Sequence, residues 1–175
     1  MVTEEAASEQ IDPSLIEVRE AAPADLDALV KMHHRTIQHL VADPPHGFSG
    51  DPAATPDHER LFNDFQEAVD GEDAVLLVAE IGGELAGSAL GIIEEFSDEL
   101  VEAPYLTVMY VATADEWRRR GVAGRLLDEM EQVARRRGLR ILELRVWANN
   151  ETALGLYERF GYKMLEHRMA KRLVD

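Results

Sequence analysis

The stretch Arg118-Arg119-Arg120-Gly121-Val122-Ala123-Gly124 places three cations and a glycine turn directly before a run with helical periodicity. A turn of this kind points several backbone N–H groups at one anion while the guanidinium groups neutralise it, and a pyrophosphate is the guest that suits it. Gly121 is the position where a Cβ would block either the backbone conformation or the close approach of a phosphate. A second group lies downstream: Asn150, then Ala153, Leu156 and Tyr157, then Phe160-Gly161-Tyr162. It offers an amide side chain able to cap a helix and a phenol able to exchange a proton. With no cysteine in the chain, a thiolate nucleophile, a disulfide framework and a cysteine-based metal site are all excluded. The early histidines His33, His34, His39, His46 and His58 contain no His-x-x-x-His pair on one helical face, so no metal site is expected. His33, on an apolar face, reads as a packed residue.

The elements that must hold these residues follow from periodicity. Leu15, Ile16 and Val18 make a short strand, and Ala22-Pro23-Ala24-Asp25 turns the chain into a helix carrying Leu26, Leu29, Val30, His33 and Ile37. Asp43 to Pro56 is a breaker-rich loop, and a second helix is expected over 57–69 with Leu61, Phe65 and Phe62 on one face. Ala74 to Ile81 and Leu85 to Phe96 flank Gly82-Gly83 as a hairpin. Tyr105 to Val111 is a strand, the helix after Gly121 runs to Arg137, and Gly138 ends it. Arg140 to Trp147 alternates, with Ile141, Glu143 and Arg145 on one side and Leu142, Leu144 and Val146 on the other, as a strand does. A helix over 151–160 and a last strand from Tyr162 to about Leu173 complete the chain. A helical crossover makes the strands at Tyr105 and Arg140 parallel neighbours, whereas the earlier strands pair as hairpins. The fold class expected is α/β, in its α+β form: a mixed, mainly antiparallel sheet with a central parallel strand pair and helices on both faces.

This order of elements and motifs resembles the GNAT superfamily of N-acyltransferases from Ile16 onward. Val18-Arg19-Glu20-Ala21 before Pro23-Ala24-Asp25 is similar to that family's approach to its first helix, and Arg118, Gly121 and Ala123 fill its pyrophosphate signature. The segment from Asn150 to Tyr162 matches its later motif at the expected spacing. The resemblance implies acetyl-CoA as cosubstrate, with the diphosphate held at Arg118, Arg119, Arg120, Gly121, Val122, Ala123 and Gly124. It also implies a gap beside Met109, Tyr110 and Val111 that receives the pantetheine arm as an added strand, with Asn150 touching that arm or capping its helix. Tyr157 resembles the family's general acid. A thiol leaving group has a pKa of about 8.5, and a phenol near 10 can protonate its thiolate at modest cost. Members that acetylate protein N-termini commonly carry glutamate five residues before the motif asparagine, where this chain has Arg145. A proton acceptor is therefore sought among Glu102, Glu143, Glu94 and Glu95, of which Glu102 is taken. A homodimer is implied at the level of the family.

The charge of the chain is divided. Residues 1–115 hold 4 basic and 25 acidic side chains, a net of −21, while residues 116–175 hold 14 basic and 9 acidic, a net of +5. The basic part suits a phosphorylated cosubstrate. The acidic part repels nucleic acid and would steer in a cationic amine, small molecule or peptide. No apolar run approaches the ~20 residues that span a bilayer. Residues 1–14 read as a flexible acidic tail without the marks of a secretion signal, so one cytoplasmic GNAT-like domain over 15–175 with no membrane partner is expected. The function expected is acetyl transfer to a primary amine by direct attack in a ternary complex. The alternative is a non-catalytic acyl-CoA sensor. A dinucleotide-binding enzyme is disfavoured, because the turn lacks the full three-glycine fingerprint and hairpins precede it.

Overall fold

The computed structural model describes residues 11–42, 44–45, 57–171 and 173. Most of the loop from Asp43 to Pro56, including His46, and the tail up to Gln10 lie outside them. The remainder of the expected tail is ordered: Asp12 accepts a hydrogen bond from the Ser14 N–H at 2.9 Å and opens a 3-10 turn over Pro13–Leu15. The regular elements are β1 (Glu17–Glu20), α1 (Leu26–Ala42), α2 (His58–Asp70), β2 (Ala74–Ile81), β3 (Glu84–Glu94), β4 (Tyr105–Thr113), α3 (Val122–Arg136), β5 (Leu142–Leu144) and α4 (Glu151–Arg159).

The strands lie side by side in chain order. β1 to β4 pair antiparallel, and β4 pairs with β5 in parallel, as a connection through α3 requires. The β2–β3 hairpin closes on Gly82 and Gly83, whose φ angles of 60° and 82° are those a two-residue hairpin turn needs. Alternation along β2 divides the core. Val75, Leu77 and Ala79 pack with Val122, Leu126 and Met130 of α3 on one face. Leu76 and Val78 pack with Leu26, Leu29 and Val30 of α1 and Leu61 and Phe65 of α2 on the other. Helices thus cover both faces, as the periodicities specify.

Close approach of α3 to the sheet fixes where its first turn emerges. A Cβ on Gly87 of β3 would stand 2.6 Å from Val122 Cγ1 and 2.7 Å from the Ala112 carbonyl oxygen, so only glycine admits the helix at this distance. On the opposite side, Arg19 donates to Asp25 at 2.7 and 3.0 Å and also pairs with Glu80. That bridge ties β1, the turn into α1 and the edge of β2 together. Being partly exposed to solvent, it contributes on the order of 1 kcal/mol.

Two expectations need correction. The alternating run Arg140–Trp147 forms a strand only over Leu142–Leu144, and residues 162–171 and 173 form no strand. Both have one cause. β5 pairs with β4 only from Leu106↔Leu142 to Val108↔Leu144, and its outer edge carries no strand among the described residues. Side chains 163–171 are exposed, so no burial offsets the entropy of fixing that segment against the sheet.

Candidate active site

The glycine turn is built by a 3-10 turn over Asp115–Trp117 that feeds α3. Arg118 pairs with Asp115 at 2.8 Å, and the Arg120 guanidinium lies 5.4 Å from the centre of the Trp117 ring. Arg119 and Gly121 both adopt positive φ, 59° and 92°. Gly121 is the N-cap of α3 in the left-handed region, and no side chain caps the helix. The Arg125 N–H reaches back to the Gly121 carbonyl at 3.0 Å, so the N–H groups of Val122, Ala123 and Gly124 precede the first intrahelical bond. The site therefore offers main-chain donors and the positive end of a helix dipole, flanked by three arginines. The Val122 side chain is only 1% exposed and belongs to the core, which leaves its N–H alone for a ligand.

β4 supplies the second part. Its register against β3 slips between Leu90↔Tyr110 and Gly91↔Val108, leaving Met109 as an extra residue in a bulge. The bulge reverses the faces of the strand. Leu106 and Val108 point to α3, whereas Tyr110 and Ala112 point to α1 and α2. Pairing with β5 ends at Val108↔Leu144, one residue before the bulge, so Met109, Tyr110 and Val111 have no partner residue on β5. Met109 is 54% exposed there. The Tyr110 ring is wedged against His33, centroids 4.5 Å apart, and Phe65, 5.7 Å apart. Burial raises the Tyr110 phenol well above its ordinary pKa. Burial, followed by the neighbouring charge of His34, lowers His33 to about 4.

α4 supplies the third. Asn150 is its N-cap, accepting from the Ala153 N–H at 3.2 Å, so the capping role offered for this residue is the one its side chain performs here. Tyr157 is half-buried about two turns beyond Asn150, and desolvation raises its phenol pKa, which keeps it protonated as a donor must be. Its ring meets that of Tyr162 at 5.7 Å. The two motif segments meet in space: a Cβ at Gly124 of α3 would stand 3.3 Å from Phe160 Cζ at the end of α4. Tyr157 also lines a groove of about 1200 Å³ that runs along the outer side of β5.

Glu102 is exposed in the loop before β4. The strand rises about 3.3 Å per residue, and Glu102 precedes even Tyr105, so the structure does not bring it to the Met109 bulge. Glu143 accepts from the Thr107 hydroxyl at 3.1 Å and lies 3.6 Å from Arg145. The partner of Arg120, Trp117, went unrecognised in the sequence, although an aromatic residue three positions before an arginine was the signal available. Ser88, fully buried in β3 beside the Tyr110 phenol, gave no such signal. Among the described residues no three His, Asp or Glu side chains are grouped to hold a metal ion, and no helix is long and apolar enough to cross a membrane.

The sequence profile of the Acetyltransferase (GNAT) family matches residues 34–162. The chain belongs to the GNAT acetyltransferase family. As a member it is an acyltransferase, and solved structures agree on the GNAT fold. A possible acetyltransferase from Clostridium difficile 630 is 20% identical, superposes with a TM-score of 0.69, and the match covers 92% of this chain and 99% of that one. The aminoglycoside N-acetyltransferase AAC(6')-Iy, solved in complex with CoA, is 14% identical with a TM-score of 0.72, over 90% of this chain and 94% of that one. An aminoglycoside acetyltransferase from an uncultured soil metagenomic sample, solved with sisomicin, is 16% identical with a TM-score of 0.63, over 93% and 97%.

Proposed function

We propose that this GNAT member transfers an acetyl group from acetyl-CoA to a primary amine, the amine attacking the thioester directly while both substrates are bound. The observation that carries this reading is the conjunction, at the C-terminal end of β4, of an uncapped α3 N-terminus behind left-handed Gly121 with the edge of β4 that has no β5 partner beyond Val108. The first suits a diphosphate and the second an extended amide-bearing arm; coenzyme A carries both, joined end to end. Arg118, Arg119 and Arg120 neutralise the phosphates, and the N–H groups of Val122, Ala123 and Gly124 bind them. Main-chain groups of Met109, Tyr110 and Val111 pair with the arm and polarise the thioester carbonyl. Asn150 holds the start of α4 in place, and Tyr157 donates a proton to the departing thiolate.

No cysteine is present to carry the acyl group, which favours direct transfer. Holding amine and thioester in contact supplies much of the acceleration by proximity. The proton released by the amine passes to solvent by way of Glu143, the sheltered carboxylate beside Thr107 of β4 in the groove that Tyr157 lines; Glu102 stands too far along the strand for that part. The acidic surface and the two neighbours solved with aminoglycoside acetyltransferase activity in their names support a small cationic amine as acceptor. The decisive experiment follows thiol release from acetyl-CoA against a panel of polyamines, amino acids, aminoglycosides and lysine peptides. Acetylation of at least one class is expected. Tight acetyl-CoA binding without transfer to any of them would favour the sensor reading instead.

A further inference from the structure

The chain has three lysines, Lys31, Lys163 and Lys171. One of them stands in the groove along β5. The lining of that groove holds Tyr157, Glu143 and Lys163 together, so a phenol, a carboxylate and a primary amine of the same chain share one space. Lys31 lines a separate cavity between α1 and the turn after β4, and Lys171 is not among the residues of the groove.

The end of α4 fixes where Lys163 sits. Gly161 adopts φ 86°, and two hydrogen bonds close the helix there: the Gly161 N–H donates to the Glu158 carbonyl and the Tyr162 N–H to the Tyr157 carbonyl, each at 3.0 Å. This is the paired closure that a left-handed residue gives a helix C-terminus. It brings Tyr162 back against the helix, with its ring 5.7 Å from that of Tyr157. Lys163 follows at once, one residue from a side chain that touches the phenol. It is exposed and forms no ion pair among the described residues, so no partner has to be given up before its amine moves.

We infer that Lys163 is acetylated by its own chain, within the groove that serves free amines. The inference rests on the functional reading above, which puts the thioester beside Tyr157. The Lys163 ammonium gives one proton to Glu143 and so to solvent, and its Nζ forms a bond to the thioester carbon as the carbon–sulfur bond breaks. The departing thiolate takes the phenol proton of Tyr157, and the second proton lost by the amine restores the phenol. The products are N-acetyl-lysine and coenzyme A, with no oxidant or further reactant required. Acetylation removes the lysine's charge. Because Glu158 and Glu166 line the same groove, the loss of that cation makes the groove more attractive to a cationic acceptor.

Mass spectrometry of the full chain incubated with acetyl-CoA and no added amine tests the inference. Lys163 is expected to gain one acetyl group at least about tenfold faster than Lys31 or Lys171, by proximity, with a rate constant that does not change when the protein is diluted. Tyr157→Phe is expected to slow Lys163 by roughly 100-fold and to leave the slow chemical labelling of the other two lysines as it was. The comparison among lysines within the wild-type chain stands whether or not that variant folds. Equal labelling of all three lysines, a Lys163 rate untouched by Tyr157→Phe, or a rate constant that falls on dilution each overturns the inference. Wild-type protein that acetylates an amine of the panel while Lys163 stays unmodified overturns it and leaves the functional reading standing; acetylation of neither sinks both.

Discussion

Gly121→Ala isolates the conformational demand of the glycine turn from its packing. Gly121 sits at φ 92°, ψ −2°, and a Cβ there would meet nothing closer than Ile16 Cδ1 at 3.9 Å. The substitution therefore adds no clash, and its whole cost is the left-handed backbone, about 1–2 kcal/mol for an L-residue. For a domain of this size that lowers the melting temperature by roughly 2–8 °C. If the backbone relaxes instead, stability recovers but the N–H groups of Val122 to Gly124 turn away from their common focus and acetyl-CoA binding weakens. One of the two losses is expected in every case. Gly121→Asn, whose side chain tolerates the left-handed region, should recover most of both. Thermal melts with and without acetyl-CoA, with calorimetric titration, read the two outcomes. An alanine variant that keeps both the melting temperature and the affinity would refute the argument.

The remaining predictions concern α4 and the second core. Asn150→Ala removes the cap on α4 and should cost about 1 kcal/mol, lowering the melting temperature by a few degrees, while Asn150→Asp should retain most of it; equal melting of wild type and alanine variant would deny the cap. His33 has its folded pKa depressed from 6.5 to about 4 by burial, so the unfolded chain takes up this proton first and stability falls as pH drops from 6.5 towards 4. His33→Phe should flatten the denaturation profile across that window. Asp25, held low chiefly by Arg19, and Asp98, held low by the Leu100 and Val101 N–H groups, lose their contributions only below it. A variant with the same acid slope as wild type would show that His33 is not the group responsible.

Much of this architecture was legible because local pattern and burial agree. The spacing of Val122, Leu126, Met130 and Val133 gave α3 its buried face, Gly82-Gly83 gave the hairpin, and the order strand, glycine turn, helix, strand gave the parallel pair. What could not be read depended on partners distant in the chain. The run from Tyr162 has the composition of a strand, but pairing needs an available edge, and composition does not reveal whether one is offered within the same copy. The Met109 bulge was hidden because Val108-Met109-Tyr110-Val111 is apolar throughout, so a reversal of faces leaves no mark in the alternation. Which arginine does what was likewise unreadable, since the partners of Arg118 and Arg120 are set by the turn at Asp115–Trp117. Glu102 was selected for its place near the start of a strand, and the distance along β4 separates it from the bulge.

The phenol of Tyr157 is where binding and chemistry meet, and its removal tests the account most directly. Turnover of Tyr157→Phe is to be measured by thiol release at saturating acetyl-CoA and the preferred amine, alongside the acetyl-CoA dissociation constant. A fall in kcat of roughly 100-fold or more with the dissociation constant unchanged is expected. Turnover equal to wild type would contradict the assignment of this residue as the proton donor and, with it, the mechanism drawn from this site.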